Sequence, residues 1–330
     1  MMSLKKNFLI GSTQHNLAPS VVNKALMSYL REKGYVANPY VHGLKRRLFS
    51  YWHILTARRI VISGIYLSYS ELRLIRLLRK KFLYVMHGSY KMETGKFHPK
   101  EAAVLKYSNK IASVSAIHAE MIKKEFPEYA DKVEVWFNGV YWDEGLAIRK
   151  NLDPKDKDPG KIVLFGGGRF MKGNLAVCRA VEQLNEEKNL GLHVDVYGIY
   201  SDEDFSKDIK ALKCVNFKDL LPVEEINLEL AKGNLFIANS KFETFNLSLM
   251  DALAVGCNVL FSQFVGAKDL LPAKSDNDII FDVENIDELK SKIEIVLQNP
   301  NNRRLLDQID FRLSSWENRA KDLAEIVDSL

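Results

Sequence analysis

Cysteine is scarce in this chain of 330 residues: Cys178, Cys214 and Cys257 are the three, and they stand far apart. There is no Cys-x-x-Cys pair, and an odd count argues against a disulfide framework. No group of His and Cys has zinc-site spacing. Buried thiols in a reducing compartment are the expectation. No apolar run approaches the roughly 18 residues of a membrane span. The opening Met1-Met2-Ser3-Leu4-Lys5-Lys6-Asn7 runs into a short strand-like stretch and then polar residues, so it does not read as a secretory signal. No internal repeat or low-complexity segment is visible.

Acidic residues are scarce in one half only. Residues 1–150 hold 25 Lys+Arg and 11 Asp+Glu, a charge of +14; residues 151–330 hold 22 and 31, a charge of −9. Such a split points to a nucleic-acid or anionic-membrane partner for the basic half. Hydrophobic residues make up 47% and charged residues 27%, which excludes disorder as the main state. At roughly 100–200 residues per domain, the length suggests two domains.

The pattern of the chain is α/β. Short apolar strands are read at Phe8-Leu9-Ile10, 59–63, 82–86, 110–114, 133–136, 162–165, 192–197, 234–238 and 259–261. Helical spacing covers 19–32, 71–81 (with Ser70 as cap), 174–188, 223–232, 247–255, 287–298 and 314–328. This alternation implies parallel sheets covered on both faces. Residues 151–160 carry neither pattern and are the best linker. Two doubly wound domains are expected, 1–152 and 153–330, with the last helix, about 314–330, packing back onto the first. Two such domains facing each other would place a ligand in the cleft between them.

Two constellations carry chemistry. In Phe165-Gly166-Gly167-Gly168-Arg169-Phe170-Met171-Lys172-Gly173 a strand runs into glycines and two cations before a helix. Glycines let amides approach an anion, and the helix start adds a positive dipole end. The spacing is neither a P-loop nor Gly-x-Gly-x-x-Gly. A tight turn with solvated cations is the plainer alternative. In Asn239-Ser240-Lys241-Phe242-Glu243-Thr244-Phe245-Asn246-Leu247 a polar loop opens a helix that stops at Gly256. Glu243 and Asp251 have seven residues between them and can face one ligand. A carboxylate suits vicinal hydroxyls. The plainer alternative is a surface Glu and a solvated helical Asp.

Together the two segments resemble retaining nucleotide-sugar glycosyltransferases of the GT-B fold, family 4 (glycosyltransferase group 1). The residues are Gly168-Arg169, Lys172-Gly173 and Glu243-x7-Asp251-Ala252-x-Ala254-x-Gly256, with Val265-Gly266, 282–298 and Ser315-Trp316 continuing the likeness. The first half matches through Met86-His87-Gly88, Ser113-Val114-Ser115 and Asn138-Gly139-Val140. The resemblance implies two Rossmann-like domains facing a central cleft and a nucleoside-diphosphate sugar as co-substrate, a UDP-sugar first, with no other cofactor and no metal. Arg169 and Lys172 would neutralise the diphosphate. Gly168 and the Thr244, Phe245, Asn246 and Leu247 segment would help hold phosphate and sugar. Glu243 would contact the donor sugar, Asp251 the ribose, and His87 would lie near the transferred sugar. The chain departs from the pattern in four places. Asp251 replaces Glu, Thr244 and Asn246 replace glycines, Asn258 replaces a proline, and Gly11-Ser12-Thr13 stands where a Gly-Gly loop is usual.

Residues 45–110 hold 15 Lys+Arg against Glu71, Glu93 and Glu101. Leu44 to Leu55 mixes cations with aromatics, and 71–81 sets basic and apolar positions at helical spacing. A basic amphipathic helix with Trp or Phe reads as membrane-surface binding. A core-facing stripe with a solvated basic face is the alternative for 71–81. No nucleic-acid motif accompanies the charge. The expectation is a cytoplasmic transferase at the inner membrane face, acting on a glycan or lipid-linked glycan in surface polysaccharide assembly. A catalytically silent GT-B subunit is the rival; a nucleotide-sugar epimerase comes behind it.

Overall fold

The computed structural model describes residues 6–11, 13, 18–40, 43–88, 96–201 and 204–330. By their contacts the residues divide into two units, Met1–Gly139 with Arg312–Leu330, and Val140–Phe311.

The first unit runs β1 (Asn7–Ile10), α1 (Ala18–Leu30), β2 (Tyr35–Ala37), α2 (Gly43–Thr56), β3 (Ile60–Ser63), α3 (Tyr69–Leu77), β4 (Phe82–Met86), α4 (Pro99–Tyr107), β5 (Lys110–Ser113), α5 (Ala116–Glu125) and β6 (Val133–Val135). The strands form one sheet in the order β2-β1-β3-β4-β5-β6. Every pairing is parallel. Each residue of β1, β3 and β4 is buried, as a parallel sheet covered on both faces requires. One face is filled by Phe8, Ile54, Ile60, Leu72, Ile75 and Tyr84, so α2 and α3 contribute Ile54, Leu72 and Ile75 to the core.

α3 differs from the 71–81 helix that spacing predicts. Ser68, not Ser70, is its cap: the Ser68 hydroxyl accepts from the Glu71 amide at 3.2 Å, and the Glu71 carboxylate accepts from the Ser68 amide at 2.5 Å. The helix stops because Arg79 turns to φ +50° and the Lys80 amide closes onto the Ile75 carbonyl at 3.0 Å. The chain's last long helix, α11 (Trp316–Asp328), packs on α1. The Trp136 indole donates to the Arg319 carbonyl at 3.0 Å and Lys81 Nζ to the Leu330 carbonyl at 2.7 Å.

The second unit runs α6 (Trp142–Asn151), β7 (Lys161–Phe165), α7 (Asn174–Lys188), β8 (His193–Tyr197), β9 (Val215–Lys218), α8 (Val223–Lys232), β10 (Leu235–Ala238), α9 (Leu247–Ala254), β11 (Asn258–Ser262), β12 (Ile279–Ile280) and α10 (Ile286–Gln298). The sheet order is β12-β11-β10-β7-β8-β9, again with parallel pairings. The winding reverses between β7 and β10, and ligands of open α/β sheets bind beyond the strand ends at such a switch point. Residues 151–160 hold the end of α6 and one 3-10 turn, Pro154–Asp156. Asn258 has work that a proline cannot do. Its Oδ1 accepts from the Asn301 and Asn302 amides at 3.0 and 3.1 Å. Its Nδ2 donates to the Asn234 carbonyl at 3.1 Å.

Candidate functional site

The loop after β7 and the loop after β10 meet at the switch point of the second unit. In the first loop Gly166, Gly167 and Gly173 have φ of +104°, +60° and +63°. A side chain is disfavoured there. A methyl group on Gly166 would stand 2.7 Å from Lys172 Cγ and 3.1 Å from Arg169 Nη2, so both cations fold over that one glycine. The Gly166 and Gly167 amides donate to the Tyr197 carbonyl at 2.8 and 3.0 Å. Asn174, at the start of α7, donates to the Phe165 and Gly167 carbonyls at 3.2 and 2.8 Å and locks the turn from beneath. Arg169 is exposed, its Nε donating to the Gly166 carbonyl at 3.2 Å. Gly168 packs against Ser206, where an added methyl would meet the Ser206 amide nitrogen at 2.3 Å.

The second loop is pinned along its length. The Glu243 amide donates to the Phe264 carbonyl at 3.1 Å, and the Gly266 and Ala267 amides donate to the Glu243 and Phe245 carbonyls at 3.0 and 2.8 Å. Thr244 and Phe245 are buried. Asn246 caps α9 at φ +81°, its side chain accepting from the Leu249 amide at 2.9 Å. That φ is where glycine is at home and asparagine is among the few other residues tolerated. Asparagine in place of glycine therefore keeps the backbone turn and adds a cap. The Leu247 and Ser248 amides begin the helix, have no intrahelical partner and suit an anion.

Three contacts stitch the loops together. The Lys241 amide donates to the Met171 carbonyl at 2.9 Å, Asn239 Nδ2 donates to the Gly173 carbonyl at 3.1 Å, and Lys172 forms an ion pair with Glu243. The candidate phosphate cation and the candidate sugar-contact acid thus meet at one point. Lys241 also lies 3.4 Å from the centre of the exposed Phe170 ring.

Asp251 lies one turn further along α9, half-buried. Burial, and then the Glu144 carboxylate on α6, raise its pKa to about 7. Its electrostatic neighbour is thus Glu144, a residue the sequence reading did not single out. On the α7 side of the glycine loop a cavity of about 230 Å³ is lined by Gly168, Arg169, Asn174, Arg179, Asp208 and Glu284 among others. Lys172, Glu243 and Asp251 do not line it, so the convergent charged groups rather than this cavity define the site. Among the described residues no three His, Cys, Asp or Glu side chains gather as a metal site.

His87 belongs to the first unit and follows β4. The Ser63 hydroxyl donates to Asn23 Oδ1 at 2.5 Å and stands 2.7 Å from His87 Nε2. Ser63 has one proton, so Nε2–H donates to it and His87 is fixed in that tautomer. Burial lowers the His87 pKa to about 4, and the ring is neutral at pH 7. His118, on α5, is fully buried, and neither ring nitrogen has a hydrogen-bond partner. Burial, and then His87, lower its pKa to about 3. No spacing rule marks His118, because it occupies an ordinary core position of a helix.

Residues 148–309 match the family described as Glycosyl transferases group 1. No curated protein matches the chain in sequence. Solved structures match it throughout. Anabaena HepE, in complex with UDP-glucose, is similar at TM-score 0.71 and 14% identity over 98% of this chain and 100% of that one. An alpha,alpha-trehalose-phosphate synthase (UDP-forming) from Burkholderia xenovorans, in complex with glucose-6-phosphate, is similar at 0.71 and 11% over 98% and 100%. Sucrose-phosphate synthase from Thermosynechococcus elongatus is similar at 0.71 and 13% over 99% of both chains. The two parallel-sheet α/β units have the GT-B fold.

Proposed function

We propose, taking residues 148–309 as a group 1 glycosyltransferase segment on a GT-B fold, that the chain moves a sugar from a nucleoside-diphosphate sugar to a glycan or lipid-linked glycan acceptor. The transfer retains anomeric configuration and uses no metal. Two of the relatives are described with UDP-glucose or as UDP-forming, which puts a UDP-sugar first among donors. The setting is surface polysaccharide assembly at the inner membrane face.

One observation carries the reading: Lys172 and Glu243, from different loops, meet at the switch point beside Arg169 and the start of α9. Cleavage of the sugar–phosphate bond puts negative charge on the departing diphosphate. Arg169, Lys172 and the Leu247 and Ser248 amides are the groups that stabilise it, at roughly 1.5–3 kcal/mol for each hydrogen bond to a charged group. Gly168, Thr244, Phe245 and Asn246 shape the backbone around it, and Glu243 binds the sugar. Asp251 binds the ribose. The acceptor hydroxyl attacks from the face the diphosphate leaves, and its proton passes to a diphosphate oxygen. His87, neutral at pH 7, serves the sugar as a hydrogen-bonding group and not as a cation.

Calorimetric titration of UDP, GDP and dTDP tests this. One diphosphate binds the wild type, and Arg169→Ala weakens it at least about tenfold, as loss of one charge-assisted bond requires. If a folded sample binds none, the silent-subunit reading replaces this one.

A further inference from the structure

The basic segment holds two helices whose apolar residues part company. On α3, Leu72 and Ile75 face the core and Arg73 and Arg76 are exposed, as is Arg79 just past its end. On α2 further apolar residues face outward. Leu44, Leu48, Trp52 and Leu55 are 70%, 59%, 64% and 50% exposed. At 3.6 residues per turn these four fall within an arc of about 80°, with Lys45 beside one edge and Arg47 beyond the other. Leu77, 79% exposed, adds a second apolar point at the end of α3. A soluble helix needs one apolar stripe, toward its core. Here Ile54 supplies that contact, and the outward stripe is additional.

α2 is held rigidly. Arg46 pairs with the buried Glu71 at 3.3 Å and donates to the Tyr66 carbonyl at 2.8 Å. The Tyr51 hydroxyl donates to Ser70 at 2.9 Å, and Lys80 Nζ donates to the Leu55 and Ala57 carbonyls at 3.0 and 2.7 Å. Between residues 43 and 81 there are 10 Lys+Arg and one acid, Glu71, which is turned inward. An apolar stripe edged by cations, with Trp in it and no exposed acid, matches the interface of an anionic bilayer.

We infer that α2 lies flat in an anionic lipid leaflet, with Leu44, Leu48, Trp52 and Leu55 inserted among the acyl chains. The inference deepens the membrane setting proposed above. It specifies which helix enters the lipid and by which face; the nucleotide site plays no part in it.

The chain carries its own probe. Trp136, Trp142 and Trp316 are buried, and Trp52 is the exposed tryptophan. Vesicles of phosphatidylcholine with about 30% phosphatidylglycerol, which present a negative surface potential to basic residues, are titrated into the full chain. Trp52 emission shifts to the blue, and lipids brominated on the acyl chain quench it. Leu48→Glu, at an exposed position, lowers the partition coefficient at least about tenfold and leaves UDP binding and the thermal midpoint unchanged. Trp52→Phe keeps binding and loses the signal. Three results would overturn the inference: no partitioning, binding abolished by salt without quenching by bromolipid, or lipid-independent self-association that Leu48→Glu removes. Loss of UDP binding in the wild type would instead strike the functional reading and leave vesicle insertion standing.

Discussion

Lowering the pH from 7 to 5 sets His118 and His87 against their surroundings. In the first unit His118 is buried and His87 half-buried, with pKa values lowered to about 3 and about 4, against about 6.5 in an unfolded chain. The folded state binds fewer protons than the unfolded state across this window. Stability is therefore full above about pH 6.5 and lost as the pH falls. Linkage gives about 2 kcal/mol lost per histidine at pH 5. Asp251, in the second unit, has the opposite sign. Its pKa of about 7 lies above the ordinary 3.8, so the folded state binds more protons, and the same acidification returns about 2 kcal/mol there. Amide exchange resolved by segment, and corrected for the intrinsic rate at each pH, reads the two units separately. Opening of β3, β4 and β5 becomes easier by about 4 kcal/mol at pH 5, and β7, β10 and β11 hold or gain. His118→Leu halves the loss in the first unit. It also removes two orphaned ring nitrogens, so the variant is the more stable protein at pH 7. Equal protection of β3 to β5 at both pH values, or an undiminished loss in His118→Leu, would show that these two rings do not set the pH dependence.

Gly173→Ala places a methyl at φ +63°, 2.3 Å from the Asn239 carbonyl oxygen. Left-handed strain alone costs about 1–2 kcal/mol. Urea unfolding should register at least that loss, with diphosphate affinity down about tenfold because the two loops are forced apart; wild-type values in both would contradict it. Asn246→Ala loses the α9 cap and keeps the φ of +81°, a loss of about 1 kcal/mol or more, whereas Asn246→Gly loses only a few tenths. Chemical denaturation of the pair checks the order, and equal losses would contradict it. Glu144→Gln removes the second cause of the raised Asp251 pKa, so carboxyl-carbon NMR should find Asp251 titrating lower than in the wild type; an unmoved titration would contradict the assignment.

The central buried strands were legible in the sequence, because apolar runs such as Ile162 to Leu164 and Phe82 to Met86 have one physical use. α7 and α8 were legible to the residue. β9 was not: Val215-Asn216-Phe217-Lys218 is a half-exposed strand at the sheet edge, and its two polar residues mask it. The start of α3 was missed by two residues because Ser68 and Ser70 are both plausible caps, and only the reach of Glu71 back to the Ser68 amide decides between them. Arg79 ended that helix without a glycine, so no composition rule marked the stop. In the site, the cations and acids were visible by type and spacing. The parts that hold them, Asn174 beneath the glycine turn and Asn239 across the two loops, were invisible, since their partners are backbone carbonyls up to 66 residues away. His118 acts through its burial and Glu144 through its charge beside Asp251 on another element, which only packing reveals.

A nucleoside diphosphate is proposed to sit at the switch point between the glycine loop and the start of α9. Amide exchange with and without the tightest-binding diphosphate addresses it directly. Slowed exchange is expected in residues 166–174 and 243–250 of the wild type, and weaker slowing in Arg169→Ala at the same ligand concentration. Protection confined to other segments, with those two unchanged, would contradict it.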